Sequence, residues 1–474
     1  MPEFVLLWTD VFVWLIFAAT VYYAVAVLRS PNLAASWRRV FHAPASMSAA
    51  LLLGLFVVIG LADSVHFRER IDARAFASEP SSLLDLALAR QRASREKSYS
   101  MPLAYESFTK EAVEEGGQTS RKFVRLKFGG AHLSRPERDW QTDLLARTAA
   151  GLVLGALLGL MLFLLCAAVV ARNHGGALGA AWQAMLAGGA DVPWRAVFWT
   201  LLVLSSGIGL IASLASGYHV FGTDRTGNDV FFQVMKSIRT ALVMGSLTTA
   251  AILPFALVLG ILSGYLKGWV DDVIQYFYTT ISSVPSVLLI AACVLLIQVY
   301  IDKNPEHFPT GLERADIKLL FLCLIIGITE FSTMCRLVRG ETLKLSELDY
   351  VQAAQAFGAS SVVIMRRHIM PNVMHIVIIT LVLEFSGIVL YEAVLSYVGV
   401  GVDPSTSSFG TMINLARSEM ARDPAVWWNL ITAFVFMLAL VLAVNLFADG
   451  VRDAFDPRAR IFRPRLKLPT GAAR

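Results

Sequence analysis

Nine stretches of this chain are apolar over roughly the 20 residues that a helix needs to cross bilayer hydrocarbon: 8–28, 46–64, 144–171, 196–216, 240–265, 273–300, 317–337, 373–398 and 426–447. Lipid offers no hydrogen bonds, so each stretch must pair its backbone groups internally, and the helix does so within one segment. The expected fold class is therefore an all-α integral membrane protein with about nine spans. Composition agrees: of 474 residues 56% are hydrophobic and 16% charged, with a mean hydropathy of +0.60, whereas soluble domains average about 25% charged residues. The net charge of +5 is small for this length and spread over loops and tail, so nucleic-acid binding is not indicated. Cys166, Cys293, Cys323 and Cys335 lie in or at the ends of apolar runs, with no metal or disulfide spacing, and are read as packing residues.

Charge near the run ends orients the chain. No Lys or Arg precedes Arg29 and no small-residue cleavage site follows the first run, so it reads as a retained span rather than a signal peptide. Arg29, Arg38 and Arg39 form a short basic loop, which places the N-terminus outside. Residues 65–142 mix acids and bases and form an expected extracytoplasmic insert, with a short helix over 82–97 and a strand or hairpin half over 121–128. Such a short insert buries only a modest core. Residues 175–193, rich in Gly and Ala, read as a weakly structured cytoplasmic connection. The resulting division is two N-terminal helices (1–64), the insert (65–142), an additional helix pair (143–216), a core (217–458) and a basic cytoplasmic tail (459–474) with Arg460, Arg463, Arg465 and Lys467.

The stretch 336–372 lies between two apolar runs yet carries Arg336, Arg339, Lys344, Arg366 and Arg367, so it belongs on the cytoplasmic side. Ser346 suits an N-cap, and Leu348, Val351, Ala354 and Ala356 follow at near-helical spacing. Gly358 sits where that helix must stop and reverse, Ser360 can cap a second helix, and Pro371 and Asn372 mark the return to the membrane. Upstream, Thr226 and Asp229 form a capping-box variant ahead of Val230, Phe231, Val234, Met235 and Ile238, which predicts an amphipathic helix at the outer surface before the next span. Pro285 should kink or break the run 273–300.

Gln352-Ala353-Ala354, Gly358 and His368-Ile369-Met370-Pro371 resemble the coupling loop of permease subunits in binding-protein-dependent ATP-binding-cassette importers. Gln352 stands where that family commonly has Glu. Gly222, Thr223, Asp224, Gly227 and Asp229 resemble a segment of the second permease of dipeptide, oligopeptide and nickel importers. The glycine-rich run 395–404, Ser408-Phe409-Gly410 and the ending 449–458 continue the likeness, which covers 221–458. The resemblance implies a type I importer transmembrane domain in a bacterial inner membrane, with Tyr350, Gln352, Ala353, Ala354, Phe357, Gly358, His368 and Pro371 as the ATPase-coupling residues. It also implies a second permease, cytoplasmic ATPase subunits that bind ATP and Mg, an extracytoplasmic binding protein and surrounding lipid as partners. The implied cargo is a peptide, nickel or another small solute.

No phosphate-cradling Gly-x-x-x-x-Gly-Lys-Ser/Thr, His-Glu-x-x-His or Gly-x-Ser-x-Gly occurs, so the chain reads as a transport subunit without catalytic residues or cofactor of its own. His368 and His375, seven apart, suit an interface or packing better than a metal. Glu330, Glu384 and Glu392 lie within apolar runs, where an acid costs on the order of 2.5–3.5 kcal/mol and so faces a cavity or a partner. They are candidates for the translocation path; the other reading pairs each one structurally. A proton-driven secondary transporter using these acids is the main rival, and would show an internal repeat. A membrane-anchored sensor whose insert binds a ligand is a third reading, and leaves the 336–372 loop without a purpose.

Overall fold

The structure is a computed structural model that describes residues 3–68, 70–72, 75–76, 80–115, 118–174, 178–187, 192–308 and 310–455. The chain begins with strand β1 (Glu3–Val5), then helices α1 (Trp8–Arg29), α2 (Pro31–His42) and α3 (Pro44–Asp63). Pro31 and Pro44 each open a helix, where the missing N–H costs nothing and the fixed φ is already helical.

The insert holds β2 (His66–Arg68), β3 (Arg70–Asp72), β4 (Ala75–Phe76), β5 (Ser81–Ser82), α4 (Leu83–Ala87), α5 (Ala89–Ala93), β6 (Glu111–Glu115) and β7 (Gln118–Lys122). β1 pairs antiparallel with β2, Glu3 opposite Arg68 and Val5 opposite His66, so the first residues belong to the insert's own sheet. The helix expected over 82–97 is two short ones ending at Ala93, because the following backbone is taken by the core: Glu96 N–H donates to Gly227 O (2.9 Å) and Thr223 N–H to Ser100 O (3.1 Å). The expected strand over 121–128 continues only to Lys122, as half of the β6–β7 hairpin. Beyond it the amides of Lys127, Phe128 and Gly129 turn onto the Glu96 carboxylate.

Helices α6 (Pro136–His174), α7 (Leu178–Ala187) and α8 (Trp194–Ala215) follow. Gly151, Gly155 and Gly159, one turn apart, let α6 lie close on α8; a Cβ on either of the first two would collide with the α8 backbone, and one on Gly159 with the Ser205 hydroxyl. The connection expected to be weakly structured contains α7, whose Trp182 and Met185 pack with Phe163, Val197 and Phe198, so its apolar residues are what order it.

The remainder is α9 (Val230–Leu266), α10 (Gly268–Ser283), α11 (Ser286–Lys303), a single turn Pro305–His307, α12 (Gly311–Ser346), α13 (Asp349–Ala356), α14 (Ser361–Ile364), a wide π-type turn Met365–Ile369, α15 (Met370–Val398), α16 (Phe409–Met420) and α17 (Trp428–Phe455). Among the described residues nine helices are long and apolar enough to cross a membrane. The Pro285 break falls between α10 and α11 as expected. The amphipathic helix and the span expected after it are one continuous helix, α9. Its cap is Asp229, which accepts from Phe231 N–H at 2.8 Å, while the Thr226 hydroxyl turns to Asp224 instead. α9 and α12 form the central pair, with Gly260 against Val338 and Gly264 against Thr342. The residues of the ending motif beyond Phe455, and the basic tail 459–474, lie outside the described residues.

Candidate functional site

The loop that the sequence suggests for coupling to an ATPase follows the C-terminal end of α12. That helix runs through Ser346, so Ser346 is a last-turn residue whose hydroxyl donates back to Leu343 O (2.8 Å), and the residue before α13 is Leu348. The expected Ser346 cap fails because α12 extends further than its apolar run. α13 ends in the reversal that Gly358 predicts. Gly358 has φ +79°, its N–H donates to Gln355 O (2.9 Å), and Ala359 N–H reaches Ala354 O (3.1 Å). These two bonds satisfy carbonyls that the helix end leaves free.

One face of the loop is anchored and the other is open. Val351, Ile364, Ile369 and Val373 are fully buried against Val338, Ile274 and Tyr278. Phe357 is 89% exposed and Tyr350 43%, with Gln352, Ala353, Gly358 and Pro371 on the surface and Ala354 half-buried on the chain's own core. Gln352 Nε2 donates to Glu347 O at 3.3 Å, a bond that the commoner Glu could not give. His368 lies beside Tyr350, ring centroids 6.1 Å apart, and Asn372 Nδ2 ties both by donating to Tyr350 Oη (3.1 Å) and His368 O (2.6 Å). The wide turn at Met365–Ile369 precedes Pro371 and opens the hydrogen-bond ladder where the proline ring needs room.

Polar struts hold this loop to the membrane helices, and sequence reasoning missed them. Arg339 binds Asp271 with both forks at 2.7 and 2.6 Å, and the Ser263 hydroxyl joins the same carboxylate. The Arg339 hydrogen bonds hold the Asp271 carboxyl below the usual carboxylate range. Lys267 pairs with Glu347 at 2.6 Å, and Gln355 donates to Tyr265 Oη at 3.0 Å. Asp271 lies in the first turn of α10, but nothing local marks Arg339 as its partner.

The three acids separate. Glu392 is 2% exposed and accepts from Ser396 (2.7 Å) and Ser408 (2.9 Å), with Gly410 leaving the room it needs. The structure therefore encloses Glu392 as a tie between α15 and α16, correcting its expected place on an open path. Ser396 is one helical turn along in the same span, but Ser408 comes from beyond it, so the span alone could not reveal the second partner. Glu330 and Glu384 are half-buried. Tyr391 hydrogen-bonds Ser286 (2.8 Å), just past the Pro285 break.

At the opposite end, the outer segment clasps the insert. Thr223 is fully buried; its hydroxyl accepts from Ser100 N–H (2.7 Å) and donates to Ser98 O (2.8 Å), while Trp428 Nε1 donates to its carbonyl (3.0 Å). Asp224 gathers the amides of Thr226 and Asn228 and the Gln233 side chain. Gly222 and Gly227 have φ +73° and +77°, and a Cβ on either would strike the insert backbone at Ser100 and Glu96. His219, also missed from the sequence, bridges Asp229 (2.7 Å) and Glu96 (3.4 Å).

The pattern described as the binding-protein-dependent transport system inner membrane component matches residues 256–461, which include the α13 loop. A glutathione transport system permease of Pectobacterium atrosepticum is 30% identical over 52% of this chain and 74% of its own length. An oligopeptide transport system permease of Mycobacterium tuberculosis is 31% identical over 52% of this chain and 78% of its own length. The chain belongs to this family. Like its relatives it is a multi-pass inner-membrane transport subunit rather than an enzyme, with a type I importer transmembrane fold. A dipeptide transport system permease of Lactococcus lactis is 31% identical over 51% of this permease, which spans 64% of that relative's length. The family pattern starts within α9, so α1 to α8 of this permease precede it.

Proposed function

We propose that this permease is one of two that together line a path for peptides, delivered by an extracytoplasmic binding protein and driven by separate cytoplasmic ATPase subunits that hold ATP and Mg. The observation that carries the reading is α13, whose inner face is locked into the chain while Phe357, Tyr350 and Val362 are left bare at a reversal fixed by Gly358. A short helix with one anchored face and exposed apolar side chains fits a groove of a partner. Dipeptide, oligopeptide and glutathione relatives support a peptide cargo. The coupling residues are Tyr350, Gln352, Ala353, Ala354, Phe357, Gly358, His368 and Pro371. Glu330 and Glu384 face the path and favour a substrate with a positive group, such as the free amino end of a peptide. The cycle is alternating access, with ATPase closure moving the spans as rigid bodies.

The test is purification and reconstitution. The chain should be recovered with a second permease and ATPase subunits, should hydrolyse no ATP alone, and should take up peptide only in the complex with ATP. Uptake by the chain alone under a proton gradient would establish the secondary transporter instead.

A further inference from the structure

Lys236 and Arg239 lie one turn apart near the outer end of α9, and four acids from four different segments converge on them. Arg239 binds Asp10 of α1 (2.5 and 3.2 Å), donates to Thr9 Oγ1 (2.8 Å) and lies 3.8 Å from Asp316 of α12. Lys236 binds Asp63 at the end of α3 (2.7 Å) and Asp85 of α4 (3.1 Å). His66 of β2 closes on Asp10 at 2.7 Å, and the Thr9 amide and hydroxyl both bind Asp316. A cavity of about 110 Å³ beside the cluster is lined by Leu7, Asp63, His66, Lys236, Arg239 and Asp316, among others.

Two features make this more than a staple. Thr9 and Asp10 are almost wholly buried, and apart from them only Val27 of α1 is buried, so the polar first turn is the most enclosed part of this helix. Helices in lipid gain little from apolar contact alone, and a buried ion cluster is a poor source of net stability, which leaves a bistable role open to it. Moreover α9 and α12 are single helices of 37 and 36 residues, and from Arg239 and Asp316 to their far ends they cover about 40–45 Å, reaching the loop that follows α12. They are in close contact at Gly327 with Ala251, Gly260 with Val338 and Gly264 with Thr342.

We propose that Arg239 is a positioning residue for transport: it latches α1, and through the Asp10–His66 contact the insert, onto the outer end of the α9–α12 pair whose inner end carries the coupling loop. The latch loosens and re-forms as the ATPase subunits open and close, so the segment ahead of the family core sets how readily the permease opens outward. This rests on the importer reading above.

The experiment uses the complete importer complex in lipid nanodiscs, with cysteines at Thr9 and Asp316. Disulfide formation should differ by about fivefold or more between the resting and the ATP–vanadate-trapped complex, and the cross-linked complex should lose about fivefold or more of its ATP hydrolysis until reductant restores it. Equal cross-linking rates with unchanged hydrolysis would make the cluster a static staple and overturn the proposal. If the cysteine pair fails to assemble, Asp10→Asn decides: assembled complex with raised basal hydrolysis supports the latch, and an unchanged basal rate overturns it. A parent complex that hydrolyses no ATP would instead overturn the importer reading.

Discussion

Arg339 grips both oxygens of Asp271, Nε to Oδ1 at 2.7 Å and Nη2 to Oδ2 at 2.6 Å, two helical turns before α12 ends at Ser346. With the Ser263 hydroxyl on the same carboxylate, α9, α10 and α12 meet at one charge just above the coupling loop. Lysine cannot reproduce that fork. Arg339→Lys should therefore leave the complex assembled but lower the transport achieved per ATP hydrolysed, by about fivefold or more. The check is parallel uptake and hydrolysis in proteoliposomes of equal permease content, with an unchanged ratio counting against the strut.

Gly358→Val tests the coupling loop. No atom lies within 4 Å of a Cβ built there, so the substitution acts through the backbone at φ +79°. Strain there costs about 1–2 kcal/mol, more for a β-branched side chain, and re-aims α13. Insertion and expression should stay normal while substrate-stimulated hydrolysis is lost; normal stimulation would remove α13 from the coupling role.

The insert's clasp should weaken in alkali. Burial opposes charge on His219, but its hydrogen bonds to Asp229 and Glu96 push its pKa from the ordinary 6.5 up to about 9. Burial likewise opposes charge on Glu96, yet the His219 bond and the amides of Phe128, Lys127 and Gly129 bring it down from 4.5 to about 2. A raised histidine stabilises fully below 6.5 and loses that contribution as pH climbs through about 9; a lowered carboxyl stabilises above 4.5 and fails toward about 2. Docking is thus strongest between 4.5 and 6.5. A cysteine at buried Ser94, measured against one at exposed Thr109 to cancel thiolate chemistry, should gain relative reactivity between neutral pH and about pH 9.5. His219→Gln should show the gain already at neutral pH.

Glu384→Gln keeps shape and hydrogen-bonding capacity while removing charge. Complexes of equal abundance should lose their preference for a free-amine peptide over its N-acetylated form, and an unchanged preference would show that Glu384 does not read the charge. Glu392→Leu is the contrast. Ser396 and Ser408 both donate to Glu392 Oε1, so removing that acceptor leaves two enclosed hydroxyls unpaired and should reduce recovered complex rather than alter selectivity.

Topology is testable through the sheet that joins the first residues to the insert. Phe4, paired with Phe67, should share a membrane side with Thr109, and Gln355 of α13 should lie on the other. Ser94 and Ser346 suggest themselves from the sequence as label sites, but both are buried. Cysteines at Thr109 and Gln355 should therefore react with an impermeant reagent from opposite faces, and same-side labelling would refute the assignment of 65–142 to the outside.

What the sequence determined by itself is whatever depends on neighbours in the chain. Nine apolar runs become helices because hydrocarbon leaves the backbone no other partners, Pro285 divides α10 from α11, and Gly358 reverses α13 because it tolerates φ +79°. The helix and reversal over 349–359 were legible for the same reason: the turn residue and the helical spacing are local. Tertiary structure alone decided where helices stop and which charges meet. α12 runs on through Ser346, α9 absorbs the amphipathic stretch ahead of its span, and Glu392 meets Ser408 only when α16 folds back. Arg239 and Asp10 are 229 residues apart, and Arg339 and Asp271 are 68. Helical periodicity says which face of a helix a charge occupies, but the partner on that face is set by which helices lie side by side.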